Sequence, residues 1–281
     1  MKNILLPTDF SENAWNAIQY AMELFKEEPC NFYVFNSYRL PAYTTDDFMV
    51  SSTNEGIEES LNKASIENLD KVIQKINERK KNPKHTFRKI SAYNFFLDAL
   101  KEAVTKNDIE LIVMGTKGAT GAKEIFIGTN TGDVISKVTV PLIVVPENMI
   151  YKSPKEIAFP TDHQVYYKRK ALKTLLNIAE LHQSTIRIVH VKMDKTELTV
   201  DQQTNKNFLF ECLEKINHSY HTLHNLLIED ALNCFTQSRD IDMIAMVPKN
   251  LNFFQKIFFK QKVEEISYHT KVPLLVLHKL N

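Results

Sequence analysis

Five of the six glycines in the 281-residue chain fall between Gly115 and Gly132. The capacity to reach positive φ, and to bring bare backbone against another group, is therefore concentrated in one stretch. The run before it, Ile109-Glu-Leu-Ile-Val-Met114, is short, apolar and rich in β-branched residues, as expected of a strand buried on both faces of a parallel sheet. The spacing is then Gly115-x-x-Gly118, nine residues, and Gly128-Thr129. Thr129, Asn130 and Thr131 are all of types that cap the helix expected to begin there. A strand leading through glycines into a helix N-terminus gathers unpaired N–H groups and the positive end of a helix dipole around one small volume. The chemistry this predicts is the cradling of a phosphate group.

Asp9 is the second candidate. The apolar run Asn3 to Leu6 ends at Pro7-Thr8-Asp9, Ser11 can serve as an N-cap, and Ala14, Ala17, Ile18, Ala21, Met22 and Phe25 recur at helical spacing. Asp9 is thus expected at the carboxyl end of the first strand, the edge at which open α/β sheets bind ligands. A carboxylate there either closes a turn, or accepts hydrogen bonds from ribose hydroxyls, or faces a magnesium ion carried by phosphates.

The other reactive side chains carry less. His218, His221 and His224 suggest a metal site, but a strand's period of two puts His221 on the opposite face from the other two, so no metal site is expected. His190 closes a buried strand and reads as a core or pocket residue. Cys30, Cys212 and Cys234 are scattered without ligand spacing, which fits reduced thiols. Lys117 and Lys123 read as loop lysines rather than phosphate ligands. The sequence holds no Gly-x-Ser-x-Gly elbow, no Walker loop and no Gly-x-Gly-x-x-Gly near the first strand. Nothing marks a general base, so no catalytic residue is expected.

The elements that must position these groups alternate regularly. After the first strand and helix come a strand Phe32 to Tyr38, a polar connection Arg39 to Gly56, and a helix Gly56 to Lys81 with Ile57, Leu61, Ala64, Ile66, Leu69, Val72, Ile73 and Ile76 as its apolar positions. A strand Lys84 to Ile90, a helix Phe95 to Val104, the strand before the glycines, a helix near Thr131 to Lys137 and a last strand Pro141 to Val145 follow. The pattern then restarts. Ile157-Ala-Phe-Pro-Thr-Asp162 repeats Ile4-Leu-Leu-Pro-Thr-Asp9, and Val272-Pro-Leu-Leu-Val repeats Val140-Pro-Leu-Ile-Val. Between them fall a helix Tyr167 to His182, strands Thr185 to Val191 and Ser219 to Leu223, helices Lys206 to Ile216 and Ile228 to Gln237, and the strand Asp242 to Val247. This internal duplication gives the expected fold class: α/β, two tandem doubly wound (Rossmann-like) domains, 1–147 and 154–281, each with a five-stranded mainly parallel sheet.

The copies differ where the phosphate chemistry lies. After its fourth strand the second copy reads Val247-Pro-Lys-Asn-Leu-Asn-Phe-Phe-Gln-Lys-Ile-Phe-Phe259, with no glycine. Pro248 stands where Thr116 would be, and side chains there would block the approach of phosphate to backbone. The second copy is therefore expected to have lost a nucleotide site while keeping Asp162. The pairs Phe253-Phe254 and Phe258-Phe259 either fill a vacated pocket or form a partner or membrane patch.

The motif Gly-2x-Gly-9x-Gly-(Ser/Thr) at Gly115, Gly118, Gly128 and Thr129, together with the opening Lys2-Asn-Ile-Leu-Leu-Pro-Thr-Asp-Phe-Ser, resembles the universal stress protein family in its tandem two-domain form. The resemblance implies ATP as the cofactor, possible magnesium coordination aside. It places Asp9 near the ribose, Phe35 and Asn36 beside the adenine, Gly115 and Gly118 along ribose and phosphates, and Gly128, Thr129 and Asn130 on the phosphates. It also implies domain pairing through the last strands, Leu142 to Val145 with Leu274 to Leu277, as an internal pseudo-dimer, and it leaves a homodimer open. The implied function is a non-enzymatic, nucleotide-dependent regulator in the stress response, acting on a protein partner. The alternative is a slow ATPase or nucleotidyl-transfer enzyme; against it, the first turn lacks Ser-Gly-Gly-x-Asp-Ser and His-x-Gly-His. A nucleotide-free scaffold is a third reading.

Charge narrows the partners. With 35 basic and 34 acidic residues, a net charge of +1 gives no electrostatic reason to expect nucleic acid. No apolar run approaches the roughly 20 residues of a membrane span. The opening residues lack a basic stretch followed by an apolar core, so a cytoplasmic protein is expected.

Overall fold

The computed structural model describes residues 1–39, 51–79, 81–116, 129–192, 197–224, 227–247 and 272–278. The first half runs β1 (Lys2–Pro7), α1 (Glu12–Leu24), β2 (Cys30–Tyr38), α2 (Ser51–Arg79), β3 (His85–Tyr93), α3 (Phe96–Lys106), β4 (Leu111–Gly115), α4 (Thr129–Lys137) and β5 (Leu142–Val145). The second runs β6 (Glu156–Pro160), α5 (Arg169–His182), β7 (Thr185–Lys192), α6 (Val200–Leu213), β8 (His218–His224), α7 (Ile228–Ser238), β9 (Met243–Met246) and β10 (Leu274–Val276). All ten strands form one sheet in the order β3-β2-β1-β4-β5-β10-β9-β6-β7-β8. Within each half the pairs are parallel, as the expected fold class requires.

Among the described residues the halves meet in one antiparallel pair, β5 with β10, where Leu274 faces Val144, Leu275 faces Ile143 and Val276 faces Leu142. This is the seam expected from the resemblance. Strand alternation sends Ile143, Val145, Leu275 and Leu277 to one face and Leu142, Val144, Leu274 and Val276 to the other. The first face is covered by α1, α2, α5 and α6, the second by α3, α4 and α7, so each hydrophobic layer draws on both halves.

Among the boundaries that differ from the sequence reading, three have a local reason. Helix α2 begins at Ser51 rather than Gly56, while residues 40–50 of the expected connection lie outside the described residues. Its start makes little use of the core: Ile57 is 43% exposed and Ala64 is exposed, whereas Leu69, Ile76 and the hydroxyl-bearing Ser65 are buried. Helix α6 starts at Val200 because Thr199 and Gln202 form a reciprocal capping box, the Thr199 hydroxyl accepting from the Gln202 N–H and the Gln202 side chain accepting from the Thr199 N–H. Strand β3 continues to Tyr93 because it pairs with β2 over its whole length, up to Tyr38 opposite Tyr93.

Because both layers cross the seam, the halves should unfold together. Leu275→Ala in β10 removes a fully buried side chain and should cost about 2–5 kcal/mol. The sole tryptophan, Trp15, lies in the other half on α1. Its fluorescence midpoint in denaturant should fall together with the circular-dichroism midpoint; a shift in one signal alone would separate the halves.

Candidate functional site

The order of strands puts the carboxyl ends of β2, β1 and β4 side by side in the first half. The turn after β1 is built by short-range hydrogen bonds. Thr8 N–H donates to the Phe35 carbonyl (2.8 Å), and the Thr8 hydroxyl accepts from the N–H of Phe10 (3.0 Å), which is held at φ 67°. Asp9 Oδ1 then accepts from both the N–H (3.1 Å) and the hydroxyl (2.6 Å) of Ser11, and Ser11 caps α1 by accepting from Ala14 N–H (3.2 Å). Asp9 is thus an exposed carboxylate fixed at the edge by its own turn. Of the alternatives read for Asp9, the turn role is the one that these hydrogen bonds show.

Asn36 lies at the same edge, buried and hydrogen-bonded through both ends of its amide: Nδ2 donates to the Thr8 carbonyl (2.8 Å), and Oδ1 accepts from the Ser65 hydroxyl of α2 (2.8 Å). Ser65 lies 2.9 Å from the Ser91 hydroxyl of β3. This line of Ser91, Ser65 and Asn36 anchors the Asp9 turn to β2, β3 and α2. Sequence reasoning missed the two serines; a hydroxyl among the apolar positions of α2 was the available signal. Phe35 points to the opposite layer, where its ring tilts against Phe96 at 6.1 Å.

At the end of β4, a Cβ on Gly115 would stand 2.7 Å from Asn13 Nδ2 of α1, so any larger residue here would have to displace the Asn13 side chain. Thr131 Oγ1 donates to the Gly115 carbonyl (3.1 Å), fastening the first turn of α4 to the end of β4, and Thr116 N–H donates to Val145 (3.2 Å). Helix α4 begins at Thr129–Asn130 with no acidic residue in its first turn, and Asn130 is exposed. Its N-terminal dipole therefore faces the edge that carries Asp9 without an internal counter-charge. Gly118, Gly128, Lys117 and Lys123 lie outside the described residues.

The second half repeats the frame and changes the filling. Thr161 N–H donates to Val189 (2.9 Å), and its hydroxyl accepts from His163 N–H (3.0 Å), with His163 at φ 58°. His190 takes the place of Asn36: its Nδ1–H donates to the Thr161 carbonyl (2.9 Å). His163, fully buried, lies over His190 at 5.1 Å between centroids and stacks on Tyr220 at 5.8 Å, its Nε2 lying 3.2 Å from the Tyr220 hydroxyl. Helix α6 closes over this cluster. Gln202 donates to the Asp162 carbonyl (2.9 Å), Asn205 to the His163 carbonyl (2.8 Å), and the Lys206 ammonium sits 4.0 Å above the Tyr220 ring. The filling observed here is imidazole and phenol; Phe253, Phe254, Phe258 and Phe259 lie outside the described residues. His221 is engaged with Ser219 and His218 with the Ile216 carbonyl, and no metal-binding cluster occurs among the described residues.

Burial, with His190 and Lys206 nearby, pushes the His163 imidazole down to about 4. Burial also lowers His85, His182 and His221. A histidine depressed in the folded state stabilises fully above its unfolded value, near 6.5, and loses that contribution as pH falls toward the folded value. For His163 this amounts to roughly 3 kcal/mol between about pH 6.5 and pH 4. His163→Phe, the residue found at the equivalent Phe10, should flatten the fall of denaturant midpoint across that interval; an unchanged acid slope would remove His163 from the explanation.

Three comparisons with known proteins bear on this geometry. The model of the universal stress protein family matches residues 1–146. Universal stress protein MJ0577 of Methanocaldococcus jannaschii is 27% identical over 160 residues, covering 51% of this chain and 94% of the relative. The solved structure of a universal stress protein from Archaeoglobus fulgidus DSM 4304 covers 99% of this chain and 96% of its own, with a TM-score of 0.64 at 18% identity. The cytoplasmic domain of a prokaryotic cation chloride cotransporter covers 98% of this chain and 95% of its own, with a TM-score of 0.54 at 10% identity. At such identities the likeness is one of fold, and one fold serves different functions. The match over residues 1–146, more than half of the 281, carries the assignment: the chain belongs to the universal stress protein family.

Proposed function

We propose that the first half binds ATP at the shared carboxyl edge of β1, β2 and β4, and that the chain acts as a nucleotide-dependent, non-enzymatic regulator in the stress response. The observation that carries this reading is the N-terminus of α4, which has no acidic residue in its first turn and is tied by Thr131 to the end of β4, next in the sheet to the strand that presents Asp9. That combination suits a polyanion attached to a ribose. Further support is the spacing of Gly115, Gly118, Gly128 and Thr129, which resembles the ATP motif of the family.

In this reading Asp9 accepts from the ribose hydroxyls, and the amides of Gly128, Thr129 and Asn130 hold the phosphates. Asn36 acts on the site by holding the Thr8 carbonyl, since its own amide is engaged there. The bound nucleotide supplies charge and ordering; the chain's part is to orient it. The second half takes no nucleotide, because α6 and the His163–His190–Tyr220 cluster occupy the equivalent edge. Among the described residues no helix is long and apolar enough to cross a membrane.

Isothermal titration of ligand-free protein with ATP should give one site per chain and no ADP on prolonged incubation. Gly128→Val should lower affinity by about a hundredfold or more, roughly 2.7 kcal/mol. Unchanged affinity in that variant would refute the cradle, and two sites per chain would refute the asymmetry.

A further inference from the structure

The antiparallel seam relates the halves by an approximate two-fold rotation that exchanges β1 with β6, β4 with β9, β5 with β10 and α1 with α5. The registers agree: Ile4 faces Leu111 as Ile157 faces Met243, and Ile112 faces Leu142 as Ile244 faces Leu274. Such symmetry produces two equivalent clefts, one on each side of the seam, where the starting ends of three strands meet the first helix of the other half. The two clefts are in different states.

On the side of β6 and β9 the cleft is filled by the segment that joins the halves. Asn16 of α1 donates to the Pro146 carbonyl (3.3 Å), Met149 and Tyr151 pack half-buried against the core, and the Tyr151 ring meets Tyr20 edge-on at 5.4 Å. The Lys152 ammonium then pairs with the carboxylate of Asp242 at the foot of β9 (2.6 Å). Asp242 also accepts from the N–H groups of Lys155 and Glu156 (2.9 Å each). An extended strip with an aromatic anchor and one cation thus answers an acidic wall.

On the side of β1 and β4 the equivalent cleft is open among the described residues and encloses about 380 Å³, between the starts of β4 and β5 and the flank of α5. That lies within the range of ligand pockets, roughly 300–1,000 Å³. Glu110 occupies the place of Asp242, but here Lys2, Lys170 and Lys173 line the walls, and the Glu110 carboxylate is 3.9 Å from Lys173. His278 closes one end, with a buried Nε2 that accepts and donates no hydrogen bond. Lys2 is paired with Glu28 (2.9 Å), so the basic character of this cleft comes from Lys170 and Lys173 on α5, opposite in sign to Asp242 in the filled cleft.

We propose that this open cleft docks an extended acidic segment of a partner protein, an aromatic side chain entering between α5 and the starts of β4 and β5 as Tyr151 enters the twin cleft, and a carboxylate meeting Lys170 and Lys173. Both lysines are exposed, so they are available to a partner and their replacement leaves the core intact. The proposal stands on the cleft and its twin and does not depend on nucleotide binding.

The test is an anisotropy titration of the full chain with a labelled, amidated peptide Glu-Asn-Met-Ile-Tyr-Glu-Ser, the joining segment with its lysine exchanged for glutamate. The peptide should bind saturably, and the unexchanged lysine form about tenfold or more weaker. Lys170→Glu with Lys173→Glu, and separately Thr174→Trp, which fills the cleft without changing its charge, should each weaken binding about tenfold or more at unchanged melting temperature. Absence of saturable binding, equal affinity for the two peptides, or equal affinity of the lysine double variant would overturn the proposal. Binding that emerges only after deletion of residues 279–281 would assign the cleft to the chain's own end and overturn it as well.

Discussion

The structure depends on the hydrogen-bonded pairing of Leu142–Val145 with Leu274–Val276. An open parallel sheet of five strands leaves two edges of unpaired N–H and C=O groups. Here the inner edge of each half satisfies the other, so only β3 and β8 remain at the outside. The pairing also aligns the side chains on both faces, letting α1 and α5 share one apolar layer and α4 and α7 the other. A cross-seam hydrogen bond adds precision: His182 at the end of α5 donates from Nε2 to the Leu24 carbonyl at the end of α1 (2.9 Å) while Nδ1 accepts from Ser153 (3.1 Å).

On this symmetric frame the halves have diverged at a few positions. The residue one step beyond the last paired position of the second strand holds the first-turn carbonyl in both, as Asn36 in one and His190 in the other. The residue after the aspartate adopts positive φ in both, as Phe10 and His163. Among the described residues, what differs is the cover. In the first half the turn presents Asp9 outward; in the second, Gln202 and Asn205 of α6 hold the turn's carbonyls.

How much of this was legible follows from the physics of each signal. Alternating apolar runs and helical spacing gave the strands, the helices and the duplication, because burial imposes those periods directly. The seam was anticipated from the family resemblance, while the repeated Val-Pro-Leu runs marked only the duplication. The start of α6 was not, because its capping box at Thr199 and Gln202 precedes any apolar repeat and its helix is polar over its first turns. The hydrogen-bonded line from Ser91 through Ser65 to Asn36 was hidden as well: three polar residues far apart in sequence meet only once β2, β3 and α2 are packed. For Gly115 the sequence showed a need for bare backbone and not its source, which is the nearness of Asn13.

The segment between the halves has a consequence of its own. Because Tyr151 and Lys152 are seated against Tyr20 and Asp242, and the chain is continuous through them, association at the seam is intramolecular and does not weaken on dilution. Two separate subunits would have to remain self-complementary, each change appearing twice across the axis. Tethering lifts that restriction, and each half becomes free to specialise alone.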